Sequence, residues 1–134
     1  MNIYFMCVAN SARSQLAEGL AHRLLPTDHI ESSGSKPGTL NPFAISVMNE
    51  MGIGISRHYS KSVSELPTEF IEKLDCVITL CAEEVCPILV TPSRKFHWPF
   101  PDPGKSGTDL EKSNSFRHVR DLIHNKLKMF RSEI

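Results

Sequence analysis

A cysteine, five intervening residues and an arginine, Cys7-Val8-Ala9-Asn10-Ser11-Ala12-Arg13, with Ser14 next, supply the residue types that hold and attack a tetrahedral oxyanion. Backbone N–H groups of such a loop can converge on an anion, a following helix N-terminus adds partial positive charge, and Arg13 can grip two oxygens as a planar fork. The same field favours Cys7 as a thiolate and therefore as a nucleophile, and Ser14 can give the sulfur a hydroxyl hydrogen bond. An arginine in a first helical turn has the wrong sign for the helix dipole, which a bound anion would explain. The plainer alternative is a buried cysteine closing a core strand, with Arg13 and Ser14 merely starting a helix.

Elements able to position this loop flank it on both sides. Residues 2–7 read as a strand without polar alternation, covered on both faces. Leu16, Leu20 and Leu24, with Ala17 and Ala21 beside them, predict an amphipathic helix over 14–25 closed by Pro26; Gly19 costs it about 1 kcal/mol relative to alanine. Residues 28–33 fit a polar edge strand and 34–38 a loop. Asn41 caps and Pro42 opens a second helix, whose stripe Ala44, Val47, Met48 and Met51 ends at Gly52. After a loop to Leu66 come a short helix over 68–74, the clearest buried strand at 76–80, and a fourth strand at 95–98. Phe116, Val119, Leu122, Ile123, Leu127 and Phe130 mark a long final helix with Ser115 as its candidate cap.

Strands alternating with helices imply a mostly parallel sheet of about four strands, with ligands outside the carboxyl ends of the strands. Cys7, Cys81 and Asp102 then belong to one sheet edge. If the first and third strands are neighbours, roughly 4.8 Å apart, a modest loop movement can join Cys7 to Cys81. Asp102 reads either as a general acid for a leaving oxygen or as a turn aspartate.

Cys81 and Cys86 would lie ~7.5 Å apart along a helix axis, beyond the ~7 Å that a disulfide spans, so bridging them would unwind the segment and expose the pair. Alternatively Cys81 is a core residue and Cys86 an incidental loop cysteine. A metal site drawn from Cys76, Cys81, Cys86 and His97 is a third reading, for which C-x4-C is only half a site. Cys76 reads as core, and His97 and Trp98 as packing residues.

The 134 residues fit one domain, 1–134, and fifteen basic residues balance fifteen acidic ones. Nothing in that balance suggests a nucleic-acid or membrane surface. Without a signal-peptide pattern or an apolar run of about eighteen residues, the expectation is a cytoplasmic soluble protein, in which four cysteines point to chemistry or metal more than to structural bridges.

With these residues in hand, the chain resembles the thioredoxin-coupled arsenate reductases, which share the low-molecular-weight protein tyrosine phosphatase fold. The resemblance runs over essentially the whole length. It is carried by the Cys7-to-Ser14 loop, Gln15-Leu16-Ala17-Glu18-Gly19, Asn41-Pro42, Val77-Ile78-Thr79-Leu80-Cys81, Cys86-Pro87, His97-Trp98, Asp102-Pro103 and Phe116-Arg117-His118-Val119-Arg120. It implies an α/β three-layer sandwich: a four-stranded parallel sheet of order 2-1-3-4 with helices on both faces. It also implies that the loop Val8, Ala9, Asn10, Ser11, Ala12, Arg13 and Ser14 binds the anion and stabilises the thiolate. In that family pattern Cys7 attacks arsenate, Asp102 protonates the departing hydroxyl, Cys81 attacks Cys7 to release arsenite, and Cys86 moves the disulfide to Cys81–Cys86 for thioredoxin to reduce. The implied partners are arsenate, with phosphate or sulfate as competing oxyanions, and thioredoxin; the implied state is a monomer, with no cofactor and no metal.

Three positions and one spacing depart from the family pattern. Ala9 replaces a usual glycine and is expected to reshape or weaken the site. Ala12 replaces a cysteine outside the relay, and the Cys81–Cys86 spacing is short. Some members bind potassium through positions matching Asn10, Glu18, Ser32 and an aspartate; that aspartate is Lys61 here, whose ammonium is expected to take the cation's place. The rival function is a phosphatase acting on phosphotyrosine or small phosphoesters, which has no need of Cys81 and Cys86. A non-enzymatic oxyanion- or redox-sensing module is the reading from another class.

Overall fold

β1 (Asn2–Cys7) is apolar on both sides because both sides are covered, and the chain assembles around it. The computed structural model describes residues 1–82, 89, 91–105 and 107–133. In order these form β1, α1 (Arg13–Leu24), β2 (His29–Gly34), α2 (Pro42–Asn49), a 3-10 turn at Val63–Glu65, α3 (Thr68–Glu72), β3 (Cys76–Thr79), β4 (Arg94–His97) and α4 (Asp109–Glu133). The strands form one parallel sheet of order β2-β1-β3-β4. Ile3 and Phe5 enter a core with Leu16 and Leu20 of α1, Val47 and Met48 of α2, and Phe116, Ile123 and Leu127 of α4. Tyr4 and Met6 point the other way, onto Leu66, Phe70, Leu74 and Val77.

Helices therefore cover both faces, as residues without polar alternation in β1 require. Among the described residues no helix is long and apolar enough to cross a membrane.

Helix starts follow their capping chemistry. The Asn41 side chain accepts from the Phe43 N–H at 2.8 Å, with Pro42 in the first helical position. α4 begins at Asp109 rather than near Ser115. Its cap is Thr108: the Glu111 N–H donates to Thr108 Oγ1 at 3.2 Å, and the Thr108 N–H donates to Glu111 Oε1 at 3.3 Å. This reciprocal box, with Asp109 and Glu111 favoured by the helix dipole, adds turns that bury little and so escape an apolar stripe.

Other boundaries differ from expectation as well. Gly34 is the last residue of β2, paired in register with Cys7, although Gly34-Ser35-Lys36-Pro37-Gly38 has the composition of a loop. The expected loop before Leu66 contains the 3-10 turn, capped by Ser62 and Glu65. β4 spans Arg94–His97, so Trp98 lies just beyond the strand, its N–H donating to Thr79 O at 2.8 Å.

Gly19 has a packing reason that outweighs its helix cost. A Cβ there would sit 2.8 Å from Met48 Cε and 2.9 Å from Ile55 Cγ2, because α2 and the segment after it press on this face of α1. Gly19→Val should lower stability by about 1–3 kcal/mol through overpacking, seen as a lower urea midpoint; an unchanged midpoint would contradict this packing.

Candidate active site

β1 delivers Cys7 to the carboxyl edge of the sheet, and residues 8–12 curl back before α1 begins at Arg13. The outer side of this loop is tied down carbonyl by carbonyl. Ser35 N–H donates to Cys7 O at 3.3 Å, Lys36 N–H to Val8 O at 2.9 Å, Gly38 N–H to Ala9 O at 3.0 Å, and Asn41 N–H to Ser11 O at 2.9 Å. The remaining carbonyl, Asn10 O, accepts from Ser60 Oγ at 2.7 Å and Gln15 Nε2 at 3.1 Å.

No described peptide bond is cis. In a trans peptide plane the C=O of one residue and the N–H of the next point in opposite directions. Five carbonyls held outward therefore turn the N–H groups of residues 8–12 inward. The Asn10 N–H meets Cys7 Sγ at 3.1 Å. The others face a pocket of about 140 Å³ lined by Cys7, Val8, Ala9, Ser11, Ala12, Arg13 and Asp102. Ala12 caps α1 without a side-chain hydrogen bond, so no capping side chain covers the donors of the first turn. Arg13 is buried, and its Nη1 donates to Phe100 O at 3.1 Å.

A polar network behind the pocket fixes the direction of the bonds to sulfur. Asn10 is fully buried and, at φ 52°, is the one described non-glycine residue in the left-handed region, where asparagine is tolerated better than most. Its Oδ1 accepts from the Lys61 backbone N–H at 3.1 Å, which can only donate, so Nδ2 faces Ser14 Oγ at 2.7 Å and Ser32 Oγ at 3.0 Å. Because Ser14 Oγ accepts from Asn10, its own proton is directed to Cys7 Sγ, 2.8 Å away. Two donors thus converge on the buried Cys7 sulfur.

Ser32 passes the network on to Glu18, donating to Oε1 at 2.6 Å. Glu18 is buried, and His22 and His58 lie 3.5 Å from its Oε2, with Lys61 Nζ 3.8 Å from Oε1. Burial pushes the carboxyl up, yet His22, Ser32, Lys61 and His58 together hold it below its ordinary 4.5. Burial in turn pushes the His58 imidazole down, against the pull of Glu18.

The sequence-derived residues fall as follows. Cys7, the loop, Arg13 and Asp102 meet at one pocket, with Asn10 and Ser14 behind it. Asp102 Oδ1 accepts the Gly104 N–H at 3.0 Å. Cys81 is buried two residues past Thr79, which pairs with Met6, and Leu80 N–H donates to Met6 O at 3.0 Å; Cys81 thus follows the end of the strand beside Cys7. Cys86 lies outside the described residues. No group of three or more His, Cys, Asp or Glu among the described residues could hold a metal ion.

Ala9 has no positive φ and its carbonyl accepts the Gly38 N–H, so the backbone conformation at this position does not itself call for glycine. Gln15, Gly34 and the segment 35–41 were not legible as site elements. Of these, only Gly34, a glycine at a strand end, carried any signal of close backbone approach.

The matching family model, low molecular weight phosphotyrosine protein phosphatase, covers residues 2–134. The chain belongs to that family. It is 42% identical over 132 residues to a protein named arsenate reductase from Halalkalibacterium halodurans, covering 96% of this chain and 93% of the relative. A solved structure described as an arsenate reductase in the phosphate binding state is 28% identical, with a TM-score of 0.78, covering 98% of this chain and 97% of the other. A thioredoxin-dependent arsenate reductase from Corynebacterium glutamicum shares the fold at 24% identity and a TM-score of 0.68, over 98% of this chain and 62% of that one.

Two outcomes follow from this geometry. A Cβ on Gly34 would lie 2.3 Å from Val8 O and 2.9 Å from Asn10 N, so Gly34→Ala must displace the loop backbone. Phosphate should then protect Cys7 from iodoacetamide roughly tenfold less well, a loss of about 1.4 kcal/mol; wild-type protection would refute the backbone contact. Because the folded Glu18 carboxyl titrates below 4.5, its ionised form stabilises the protein above that pH, and the contribution disappears as pH falls through the depressed value. The urea midpoint of the wild type should fall on acidification below pH 4.5 more steeply than that of Glu18→Gln; parallel curves would show that Glu18 contributes nothing.

Proposed function

We propose that the protein reduces arsenate to arsenite through Cys7, Cys81 and Cys86 and is regenerated by thioredoxin. The observation that supports this best is the placement of Cys7 inside a cradle of backbone donors with Cys81 just past the end of the neighbouring strand. Arsenate is tetrahedral and anionic, matching inward N–H groups and the Arg13 fork. The Cys7 thiolate attacks arsenic while Asp102 gives a proton to an arsenic-bound hydroxyl, the As–O bond breaks as that group leaves as water, and an S–As(V) bond remains. The Cys81 thiolate then attacks Cys7 sulfur. The S–S bond forms, the S–As bond breaks with its electron pair passing to arsenic, and As(III) departs as arsenite.

The Cys86 thiolate next attacks Cys81, releasing Cys7 as a thiolate and leaving a Cys81–Cys86 disulfide. A thioredoxin dithiol reduces that disulfide by the same exchange, taking up its two oxidising equivalents. Every step is oxyanion displacement or thiol exchange, so the scheme requires no organic cofactor and no metal. A reducing compartment such as the cytoplasm suits an enzyme that must return to its thiol form, and a monomer over residues 1–134 is sufficient for it.

A phosphatase is the second reading, favoured by the description of the family model and by a cradle that would hold phosphate equally well. The two diverge at Cys81 and Cys86. NADPH consumption with arsenate, thioredoxin and thioredoxin reductase should be continuous for the wild type and absent for Cys86→Ser, which should instead form about one equivalent of arsenite and stop at a Cys7–Cys81 disulfide. Equal hydrolysis of an aryl phosphate by both proteins, with no NADPH consumed, would replace the reductase with a phosphatase.

Lys61 bears on potassium. Its ammonium sits 3.8 Å from Glu18 and 4.0 Å from Glu31, beside the Asn10 and Ser32 positions. Turnover should be the same in potassium and sodium salts at equal ionic strength. A severalfold stimulation by potassium would contradict an internal cation.

A further inference from the structure

Gln15 occupies the first turn of α1 and is fully buried, although a glutamine there reads as a solvent-facing helix residue. Its Nε2 lies 3.1 Å from each of three oxygens: Asn10 O, Asn10 Oδ1 and Tyr59 O. Two of these are backbone carbonyls, which only accept, so the atom facing them must be nitrogen. Its Oε1 faces His58 Nδ1 at 3.1 Å, and the imidazole nitrogen is therefore the donor. The carboxamide is thus pinned at both ends, and one nitrogen serves both oxygens of Asn10.

Asn10 is the residue whose side chain decides which way Ser14 points its proton. With Oδ1 held by Gln15 and the Lys61 N–H, Nδ2 faces Ser14, and the Ser14 proton goes to Cys7 Sγ. With the amide reversed, Ser14 would donate to Asn10 instead, and the sulfur would lose that donor. The bond from Gln15 to Asn10 O also supports the left-handed turn that brings the Asn10 N–H to the sulfur.

We propose that Gln15 is a positioning residue for Cys7: by donating to both oxygens of Asn10 it acts with the Lys61 N–H to hold the direction of the Ser14 hydrogen bond and the aim of the Asn10 N–H. The proposal rests on the reading of Cys7 as the nucleophile. It differs from a filling role, in which Gln15 merely joins α1 to the segment at Tyr59 and any loss is one of stability alone.

The test is the rate of Cys7 alkylation by iodoacetamide, quantified at the Cys7 peptide by mass spectrometry from pH 5 to 9, in folded protein well below its unfolding midpoint. Gln15→Leu keeps the approximate volume and removes the donors. Its Cys7 should react roughly three- to tenfold more slowly at pH 6, with the midpoint of the rate profile moved upward, as loss of one or two buried hydrogen bonds implies. In an Asn10→Ala background, which removes the side-chain route and leaves only the bond to the backbone carbonyl of residue 10, the same substitution should have a clearly smaller effect. If Gln15→Leu does not fold, Gln15→Glu serves, since a carboxylate cannot donate at neutral pH and should slow alkylation in the same direction. Wild-type alkylation in whichever variant folds, or equal losses with and without Asn10, would overturn the proposal. Alkylation reads the sulfur whether or not arsenate turns over, so failure here is distinct from failure of the reductase reading.

Discussion

The site depends on the fixed opposition of C=O and N–H across a planar peptide. Five successive carbonyls, from Cys7 to Ser11, are each held from outside, four by backbone N–H groups of residues 35–41 and one by Gln15 and Ser60. Once they are held, the donors have nowhere to point but inward. No charged side chain is needed to create the cradle; Arg13 and the start of α1 add to a field that the backbone has already set. The requirement also explains Gly34. The strap can approach the loop this closely only where β2 ends without a side chain.

Sheet topology does the rest. With β1 central and β3 parallel beside it, the chain leaving each strand emerges at one edge, so Cys7, Cys81 and Asp102 reach it from three distant parts of the sequence. The two cores hold β1 from both sides, which keeps the loop's starting point rigid. A thiol on a fixed strand end, with a second just past the neighbouring end, is the arrangement that the proposed thiol exchange requires.

What could be read from the sequence was what local chemistry encodes. Cysteine, asparagine, serine and arginine at these spacings, between an apolar strand and a periodic helix, describe an anion loop without any tertiary information, and β-branched residues at 76–79 describe a buried strand. The strap at 35–41 was hidden because it acts through backbone N–H groups, which leave no side-chain signature. Gly34 read as loop because its neighbours are turn-formers, and pairing with Cys7 overrode that composition. α4 was read too short because residues 109–115 bury little, and its Thr108–Glu111 box lies ahead of the apolar stripe. Gln15 carries no sequence signal because its partners His58 and Tyr59 lie more than forty residues away.

The central claim, that an anion cradle built on Cys7 delivers electrons from a chain of thiols, is tested most directly by mapping the disulfide left after a single turnover. Fully reduced protein mixed with one equivalent of arsenate, without thioredoxin, should yield one arsenite per chain and a Cys81–Cys86 disulfide in the peptide mass spectrum, with Cys7 and Cys76 as thiols. Arsenite formed with no intramolecular disulfide, or with one that includes Cys76, would contradict the account.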